Sequence, residues 1–139
     1  MAKNVREAMT ASVRSVSPSQ SLADAAEMMK GQDVGSVPVV EEGRLRGIVT
    51  DRDIVTRAVA ERRDPQSVKV EEIASHDLVT IEPDRDLDEA LALMAHHKVR
   101  RLPVVEEGQL VGMLAQADVA LEARDARVGE MVGQISRPT

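Results

Sequence analysis

The side chains best suited to chemistry lie in the short segment Gly47-Ile48-Val49-Thr50-Asp51-Arg52-Asp53. A carboxylate such as Asp53 can accept hydrogen bonds from both hydroxyls of a ribose. A threonine hydroxyl at a helix start lies beside free backbone N–H groups, which favour anions. Arg52 adds a forked guanidinium suited to phosphate. These residue types indicate a site for a ribose and a phosphate.

The same spacing has a second interpretation that needs no ligand. Thr50 followed three residues later by Asp53 is the pattern of a capping box at a helix N-terminus. Capping and ligand contact are compatible, so both roles stay open at this point.

A basic segment stands out in a chain whose formal net charge is −6. It runs His96-His97-Lys98-Val99-Arg100-Arg101 and suggests a specific anion, because a diffuse cationic field is absent. The alternative is that Arg100 and Arg101 are solvated charges at a strand end. His96 and His97 are adjacent, do not share a helix face and have no evident third ligand, so no metal site is predicted.

Composition excludes several classes of function. The 139 residues include no cysteine and no aromatic residue, which rules out thiolate catalysis, disulfides and base stacking on an aromatic ring. The acidic balance argues against nucleic acid as a partner. No apolar stretch reaches the length of a membrane span and no signal peptide is evident, so no membrane association and a cytoplasmic location are expected. No catalytic motif was found, so we expect neither an enzyme nor a cofactor.

The elements that must position these residues occur twice. At an offset of 65 residues, Pro38-Val39-Val40-Glu41-Glu42-Gly43 aligns with Pro103-Val104-Val105-Glu106-Glu107-Gly108 without a gap. Such a match in a varied sequence indicates an internal duplication. The predicted domains are repeat 1 over residues 5–62, repeat 2 over 70–124 and a closing helix over 125–135.

Each repeat is predicted to be a β-α-β-β-α unit. Its first strand is Val13 to Val16 or Leu78 to Ile81, and a proline follows. A capped amphipathic helix comes next, with a buried face of Leu22, Ala25, Ala26 and Met29, or of Leu87, Ala90, Leu91 and Met94. Two apolar runs around Glu-Glu-Gly predict a hairpin, and a second helix begins near Thr50 or Ala115. Short lead-in helices are predicted near residues 5–9 and 70–73.

This organisation resembles the CBS domain family over nearly the whole chain. The segment Gly47 to Asp53 looks like the nucleotide motif of that family, Gly-x-x-Thr/Ser-x-x-Asp, and the Val-Pro-Val-Val and Leu-Pro-Val-Val strands are equally typical. Small bacterial proteins made of one CBS pair, including the mycobacterial hypoxic-response type, are the most similar in character. The resemblance implies an α+β fold, with two tandem β-α-β-β-α CBS repeats packed about a pseudo-two-fold axis.

The resemblance also implies two ligand sites. In the family the aspartate holds the ribose, the threonine or serine holds phosphate, and adenine lies against the other repeat. With the arginines of the basic segments included, the first predicted site comprises Thr50, Arg52, Asp53, Leu78, Val79, Val99, Arg100, Arg101 and Pro103. The second and weaker site comprises Val13, Val34, Ser36, Pro38 and Asp118. There Ala115 stands where the hydroxyl should be, which puts phosphate binding in doubt.

The function expected from this resemblance is regulatory. A ligand-sensing module would bind an adenine nucleotide (AMP, ADP or ATP) between its two repeats; S-adenosyl compounds and dinucleotides are alternatives. The rival hypothesis is a structural protein-interaction module whose ligand sites have decayed. Apolar stripes on the helices that follow Thr50 and Ala115 predict a homodimer, whereas the regulated protein is not indicated. The stripes are Ile54, Val55, Ala58 and Val59 in repeat 1, and Val119, Ala120, Leu121 and Ala123 in repeat 2.

Overall fold

A computed structural model describes residues 3–122. The chain divides into two compact units. The first-repeat unit contains residues 12–78 and 105–110. The second-repeat unit contains, within the described range, residues 3–11, 79–104 and 111–122.

The elements follow the predicted order within each repeat. In chain order they are α1 (Val5–Ala8), α2 (Leu22–Gln32), β1 (Ser36–Glu41), β2 (Arg44–Thr50), α3 (Asp51–Ile54), α4 (Val70–Ile73), α5 (Leu87–His97), β3 (Arg101–Glu106), β4 (Gln109–Ala115) and a helix α6 described over 116–122. This mixture of helices and antiparallel hairpins confirms the predicted α+β class.

The hairpins form where the Glu-Glu-Gly sequences predicted them. β1 and β2 pair antiparallel from Ser36 opposite Thr50 to Glu41 opposite Arg44. The two loop residues, Glu42 and Gly43, have φ values of 53° and 80°. Two consecutive positive φ values define the turn whose twist suits a two-residue hairpin. The β3–β4 turn repeats this geometry, with φ values of 53° and 82°.

The first strand of each repeat is shorter than predicted. Instead of strands over Val13–Val16 and Leu78–Ile81, the structure has single parallel bridges, from Val16 to Val39 and from Ile81 to Val104. The prediction of longer strands was therefore wrong.

Two prolines in each repeat explain why the pairing of its first strand is so short. Val16 donates its N–H to the Pro38 carbonyl at 3.0 Å, and Val40 donates to the Val16 carbonyl at 2.8 Å. The next bonds of a parallel ladder would need the N–H groups of Pro18 and Pro38, which proline lacks. Pro83 and Pro103 occupy the corresponding positions beside Ile81.

The long helices begin at the predicted caps. The Ser21 side chain accepts from the N–H of Asp24, and the Asp86 side chain accepts from the N–H of Glu89. The buried stripe of α2 is Leu22, Ala25 and Met29, whereas Ala26 is exposed, which corrects the predicted face. Ala26 lies four residues after Leu22, at the edge of this stripe, and its small side chain is left exposed there.

Each lead-in helix packs in the unit of the other repeat. In the second-repeat unit, Val5 of α1 donates to the Arg85 carbonyl at 2.8 Å; in the first-repeat unit, Val70 of α4 donates to the Gln20 carbonyl at 2.8 Å. Both valines are fully buried. The lead-in helices therefore complete cores that lie far from them in sequence. The predicted closing helix, 125–135, lies outside the described residues.

The second helix of repeat 1 changes its winding after one turn. α3 is followed by a π-helical turn over Val55–Val59. Ile54 and Ala58 are buried in the first-repeat core, whereas Val55 and Val59 are more than half exposed. The apolar stripe that suggested a dimer is thus divided between core and surface.

Repeat 2 shows the same division. In α6, Val119 is buried in the second-repeat core and Leu121 is exposed. Ala123, the last residue of the predicted stripe, is outside the described range. Among the described helices, none has the length and apolar character needed to cross a membrane.

Candidate functional site

Thr50 and Asp53 form a reciprocal capping box at the start of α3. The Thr50 Oγ1 accepts from the Asp53 backbone N–H at 3.0 Å, and the Asp53 Oδ2 accepts from the Thr50 N–H at 3.3 Å. Both residues are partly buried. The capping interpretation of this spacing is therefore confirmed, and two backbone donors of the helix start are satisfied.

The box leaves one donor and one acceptor unused. Thr50 Oγ1 uses a lone pair in the cap, so its hydroxyl proton remains available to donate. Asp53 Oδ1 makes no hydrogen bond within residues 3–122. The cap thus fixes both side chains while their remaining polar atoms are free to meet a ligand.

Asp51 is a neighbouring acidic group that the sequence analysis passed over. Its N–H donates to the Gly35 carbonyl at 2.9 Å, and its Oδ1 accepts from the Arg52 N–H at 2.8 Å. A β-carbon at Gly35 would lie 3.2 Å from Asp51 Oδ2. The carboxylate therefore lies over the Gly35 backbone, and the side chain of Arg52 is exposed. The position of Asp51 inside the nucleotide motif was the sequence signal that could have identified it.

The motif glycine, Gly47, is explained by packing. Its strand pairs with the segment after α4, since Ile48 and Ser75 exchange backbone hydrogen bonds of 3.0 and 2.8 Å. A β-carbon at Gly47 would lie 2.8 Å from the Ser75 carbonyl oxygen. Gly112 occupies the corresponding position in repeat 2, where a β-carbon would lie 2.5 Å from the Met9 sulfur and 3.0 Å from the Thr10 carbonyl oxygen. Because these glycines have no side chain, the segment after each lead-in helix can pack closely on the strand, whether or not a ligand binds.

Arg100 and Arg101 lie at a pocket of about 510 Å³ in the second-repeat unit. The other lining residues are Ala115, Gln116, Ala117 and Ala120, at the end of β4 and the start of α6. The Gln116 N–H donates to the Arg100 carbonyl at 2.7 Å, which holds the strand end against the helix start. The sequence analysis missed the last three lining residues, of which only Ala117 corresponds, at the 65-residue offset, to a predicted site residue, Arg52.

The corresponding cap is missing in repeat 2. Ala115 directly precedes α6 and has no side-chain oxygen to accept from the helix. Asp118 is partly buried and makes no side-chain hydrogen bond within the described residues. The weaker second site stays a prediction.

The remaining residues of both predicted sites are strand and loop positions of mixed exposure. Pro38 and Pro103 are buried within their hairpins, Val34 packs on the first-repeat core, and Val79 and Val99 pack on the second-repeat core. Val13, Ser36 and Leu78 are partly buried. Leu78 lies in the same compact unit as Thr50 and Asp53, whereas Arg100 and Arg101 lie in the same unit as Asp118.

The histidines occupy ordinary positions. His76 Nδ1 lies 3.0 Å from the Arg46 carbonyl oxygen, and the rings of His96 and His97 meet edge to face at 4.8 Å. In the part of the chain that the structure describes, no group of three His, Asp or Glu side chains is arranged to hold a metal ion.

Known proteins of the same organisation match this chain over most of its length. The CBS domain model matches residues 5–60 and 70–125. The CBS domain-containing protein YhcV of Bacillus subtilis is 46% identical over 118 residues, which cover 85% of this chain and 84% of that protein. Hypoxic response protein 1 of Mycobacterium tuberculosis is 34% identical over 134 residues, covering 96% of this chain and 94% of that protein.

Solved structures agree with the sequence matches. The crystal structure of Hypoxic Response Protein I, which holds two coordinated zinc ions, superposes with a TM-score of 0.78 at 35% identity and covers 86% of this chain and 98% of that one. The CBS domain pair of protein MJ0100, in complex with 5′-methylthioadenosine and S-adenosyl-L-methionine, has the same fold at 23% identity. Its TM-score is 0.77, with 91% of this chain and 99% of that one covered. Family model, relatives and fold agree, and this chain belongs to the CBS domain family as a CBS domain pair protein.

Proposed function

We propose that this chain is a cytoplasmic regulatory module that senses an adenine nucleotide (AMP, ADP or ATP) and catalyses no reaction. CBS domain pairs are regulatory modules that commonly bind adenosine-containing ligands. The observation that carries the proposal is the Thr50–Asp53 box, which fixes both side chains and, within residues 3–122, leaves the Thr50 hydroxyl proton and Asp53 Oδ1 unused.

These two groups match the two polar parts of a nucleotide. A carboxylate oxygen held in place can accept from the vicinal hydroxyls of a ribose, and charge-assisted bonds of this kind are stronger than neutral ones. The threonine hydroxyl can donate to a phosphate oxygen. Arg52, which is exposed and lies one residue before Asp53, supplies a cation for the phosphate. The apolar residues Leu78, Val79 and Val99 complete the proposed site around the adenine, together with Pro103.

A structural interaction module is the second candidate. The specific observation in its favour is Ala115, where repeat 2 lacks both the cap and the hydroxyl of repeat 1. Decay of one site does not remove the other, and the intact box at Thr50 favours ligand sensing.

A thermal-shift measurement tests the proposal. A ligand that binds only the folded state adds about 2.7 kcal/mol of stability at 100 times its dissociation constant. For a domain of this size, that corresponds to a rise in Tm of roughly 5–10 °C. AMP, ADP, ATP, NAD and S-adenosylmethionine are screened by circular dichroism, because the chain has no tryptophan for fluorescence. Absence of a shift with every compound at millimolar concentration would favour the interaction module.

We also propose that the protein is a homodimer. Val55 and Val59 are 58% and 56% exposed, although they are large apolar residues on consecutive turns of one helix. We place the dimer contact at this exposed apolar surface. Multi-angle light scattering at micromolar concentration should give twice the chain mass of 15.1 kDa. The double change Val55→Lys/Val59→Lys should give the monomer mass, whereas a wild-type monomer would contradict the proposal.

A further inference from the structure

The lead-in pattern occurs a third time in the sequence, in a segment to which the proposed function assigns no role. The two described lead-in segments, residues 5–9 and 70–74, have the order Val-x-Glu followed by two apolar residues. Residues 128–132, which lie outside the described range, repeat this order as Val-Gly-Glu-Met-Val. The chain therefore carries three lead-in segments for two repeats.

Each repeat holds a lead-in segment against the stretch that begins its long helix. These stretches, residues 18–22 and residues 83–87, are called here the first-repeat cradle and the second-repeat cradle. Three backbone hydrogen bonds join the second-repeat cradle to the α1 segment: Val5 N–H to the Arg85 carbonyl at 2.8 Å, Arg6 N–H to the Pro83 carbonyl at 2.9 Å, and Leu87 N–H to the Lys3 carbonyl at 3.0 Å. The three equivalent bonds of the first-repeat cradle measure 2.8, 3.0 and 3.0 Å. Since only backbone groups take part, any segment without proline at these positions can form them.

Two side chains distinguish a lead-in segment from other sequences. The first residue of each described copy, Val5 or Val70, is fully buried. The glutamate two residues later closes a capping bond, in which its carboxylate accepts from the N–H three residues before it, at 3.4 Å in α1 and 2.8 Å in α4. Val128 and Glu130 provide both features in the third segment.

The chain leaves the described range beside the second-repeat cradle. The side chains of Lys3 and Glu122 form an ion pair, and the Lys3 carbonyl is bonded to that cradle. Val128 follows Glu122 by six residues, which span up to about 20 Å when extended, whereas Val5 follows Lys3 by only two. Residues 128–132 can therefore reach the place of Val5.

We propose that residues 128–132 exchange with α1 in the second-repeat cradle, so that Val128 takes the place of Val5. Both occupants bury one valine and close one capping bond, and the backbone bonds to the cradle are the same for each. Such a balance leaves two states separated by about a few kcal/mol, so that a modest change of conditions shifts the occupant. The exchange acts as a switch in the second-repeat unit, because the segment that leaves the cradle also leaves β4, where Thr10 and Met113 share two backbone bonds of 2.9 Å. No residue of the proposed nucleotide site takes part, so the inference goes beyond that function.

Engineered cysteine pairs test the exchange, because the chain has no cysteine of its own. The side chains of Arg6 and Asp84 lie 3.6 Å apart, from Nη2 to Oδ1, and Gly129 corresponds to Arg6 in the pattern. The full chain is prepared as Arg6→Cys/Asp84→Cys and as Gly129→Cys/Asp84→Cys and treated with a short bis-maleimide, and the crosslinked peptides are identified by mass spectrometry. Both pairs should crosslink within one chain. No Gly129 crosslink would overturn the proposal, and one found only between two chains would overturn it by assigning residues 128–132 to the cradle of a second copy.

Val128→Asp shows whether the crosslink depends on the cradle or only on the nearness of a tethered segment. Added to the Gly129→Cys/Asp84→Cys protein, it should slow crosslinking at least tenfold, because a carboxylate is strongly disfavoured in a fully buried valine site. Gln134→Asp is the matched control, since it adds the same charge at the position that corresponds to the exposed Ala11. It should change the rate less than twofold. Equal rates in the two variants would mean that the cradle does not hold this segment.

The two equivalent valines provide a second test that needs no crosslink. Val5 and Val70 are both fully buried, but the third segment lies within reach of the second-repeat cradle. Val70→Asp should lower Tm by at least about 10 °C, whereas Val5→Asp should lower it by less than half as much, because residues 128–132 fill the cradle. The combination Val5→Asp/Val128→Asp should lose as much as Val70→Asp. If circular dichroism shows that Val5→Asp alone is as damaging as Val70→Asp, the cradle has no second occupant and the proposal fails.

Discussion

Gly47→Ala is expected to lower the free energy of unfolding by about 1–3 kcal/mol, the usual cost of an added group in a close-packed site. The new β-carbon would lie 2.8 Å from the Ser75 carbonyl oxygen and 3.3 Å from the Ala74 β-carbon. The first contact is backbone, and it belongs to a segment held to β2 by two hydrogen bonds. The segment cannot move away without breaking them. Urea unfolding followed by circular dichroism measures the loss.

Gly31→Ala is the matched control. Gly31 lies inside α2, and a β-carbon there would have no heavy atom within 4 Å. Alanine is the better helix former, so this variant should gain about 0.5–1 kcal/mol. The two substitutions are chemically identical, and their effects should have opposite signs. A Gly47→Ala protein as stable as the wild type would mean that the segment containing Ser75 is not tightly packed on β2.

Gly112→Ala should be tolerated better than Gly47→Ala. Its shortest new contact, at 2.5 Å, is with the sulfur of Met9, the flexible end of a side chain, and the nearest backbone atom, the Thr10 carbonyl oxygen, is at 3.0 Å. Methionine can adopt another rotamer, whereas the Ser75 carbonyl cannot. The first glycine of the nucleotide motif is therefore a packing residue in both repeats, but the two repeats differ in how well they tolerate its replacement by alanine.

Local signals in the sequence were sufficient for the elements. Ser21, Thr50 and Asp86 are short polar residues whose capping role depends only on the next three residues. The Glu-Gly turns likewise depend on two consecutive residues. Features set by distant partners could not be predicted in this way. The short pairing of Val16 depends on Pro38, in another strand, as well as on the nearby Pro18. The lead-in helices share one pattern that does not indicate which core each completes.

The same distinction applies to the candidate site. The Thr50–Asp53 box lies within four residues, so its geometry could be predicted, although its spacing alone did not separate cap from ligand contact. The pocket at Arg100 could not be predicted, because it forms only where the end of β4 and the start of α6 lie beside the start of β3. The sequence does show that Gln116 stands 65 residues after Asp51, where the charge is lost. This difference has meaning only once the pocket is known.

Asp53→Ala should weaken adenine nucleotide binding at least tenfold. It removes a charged acceptor, which contributes more than the roughly 1 kcal/mol of an ordinary hydrogen bond. It also removes one bond of the capping box, so a folding defect must be separated from a binding defect. Asp53→Asn separates them, because an amide oxygen can still accept from the Thr50 N–H while the charge is lost. Calorimetry with AMP and ATP should give a large loss for both variants.

Thr50→Ala tests the other half of the box. Because Thr50 is a cap residue, its replacement by alanine should lower the stability by about 0.5–2 kcal/mol. If it acts only as a cap, nucleotide affinity should barely change; if its hydroxyl also holds phosphate, AMP should bind more weakly while adenosine is unaffected. Comparison of these two ligands separates the roles that the spacing left open.

Asp118→Ala completes the comparison between repeats. Its site lacks the hydroxyl at Ala115, and the carboxylate has no cap to hold it in place. We therefore expect a smaller loss of nucleotide affinity than for Asp53→Ala. Ala115→Thr should restore the box with Asp118 and strengthen phosphate-bearing ligands without affecting adenosine. If Asp118→Ala abolishes nucleotide binding while Asp53→Ala leaves it intact, the working ribose site belongs to repeat 2, and the cap at Thr50 has only a structural role.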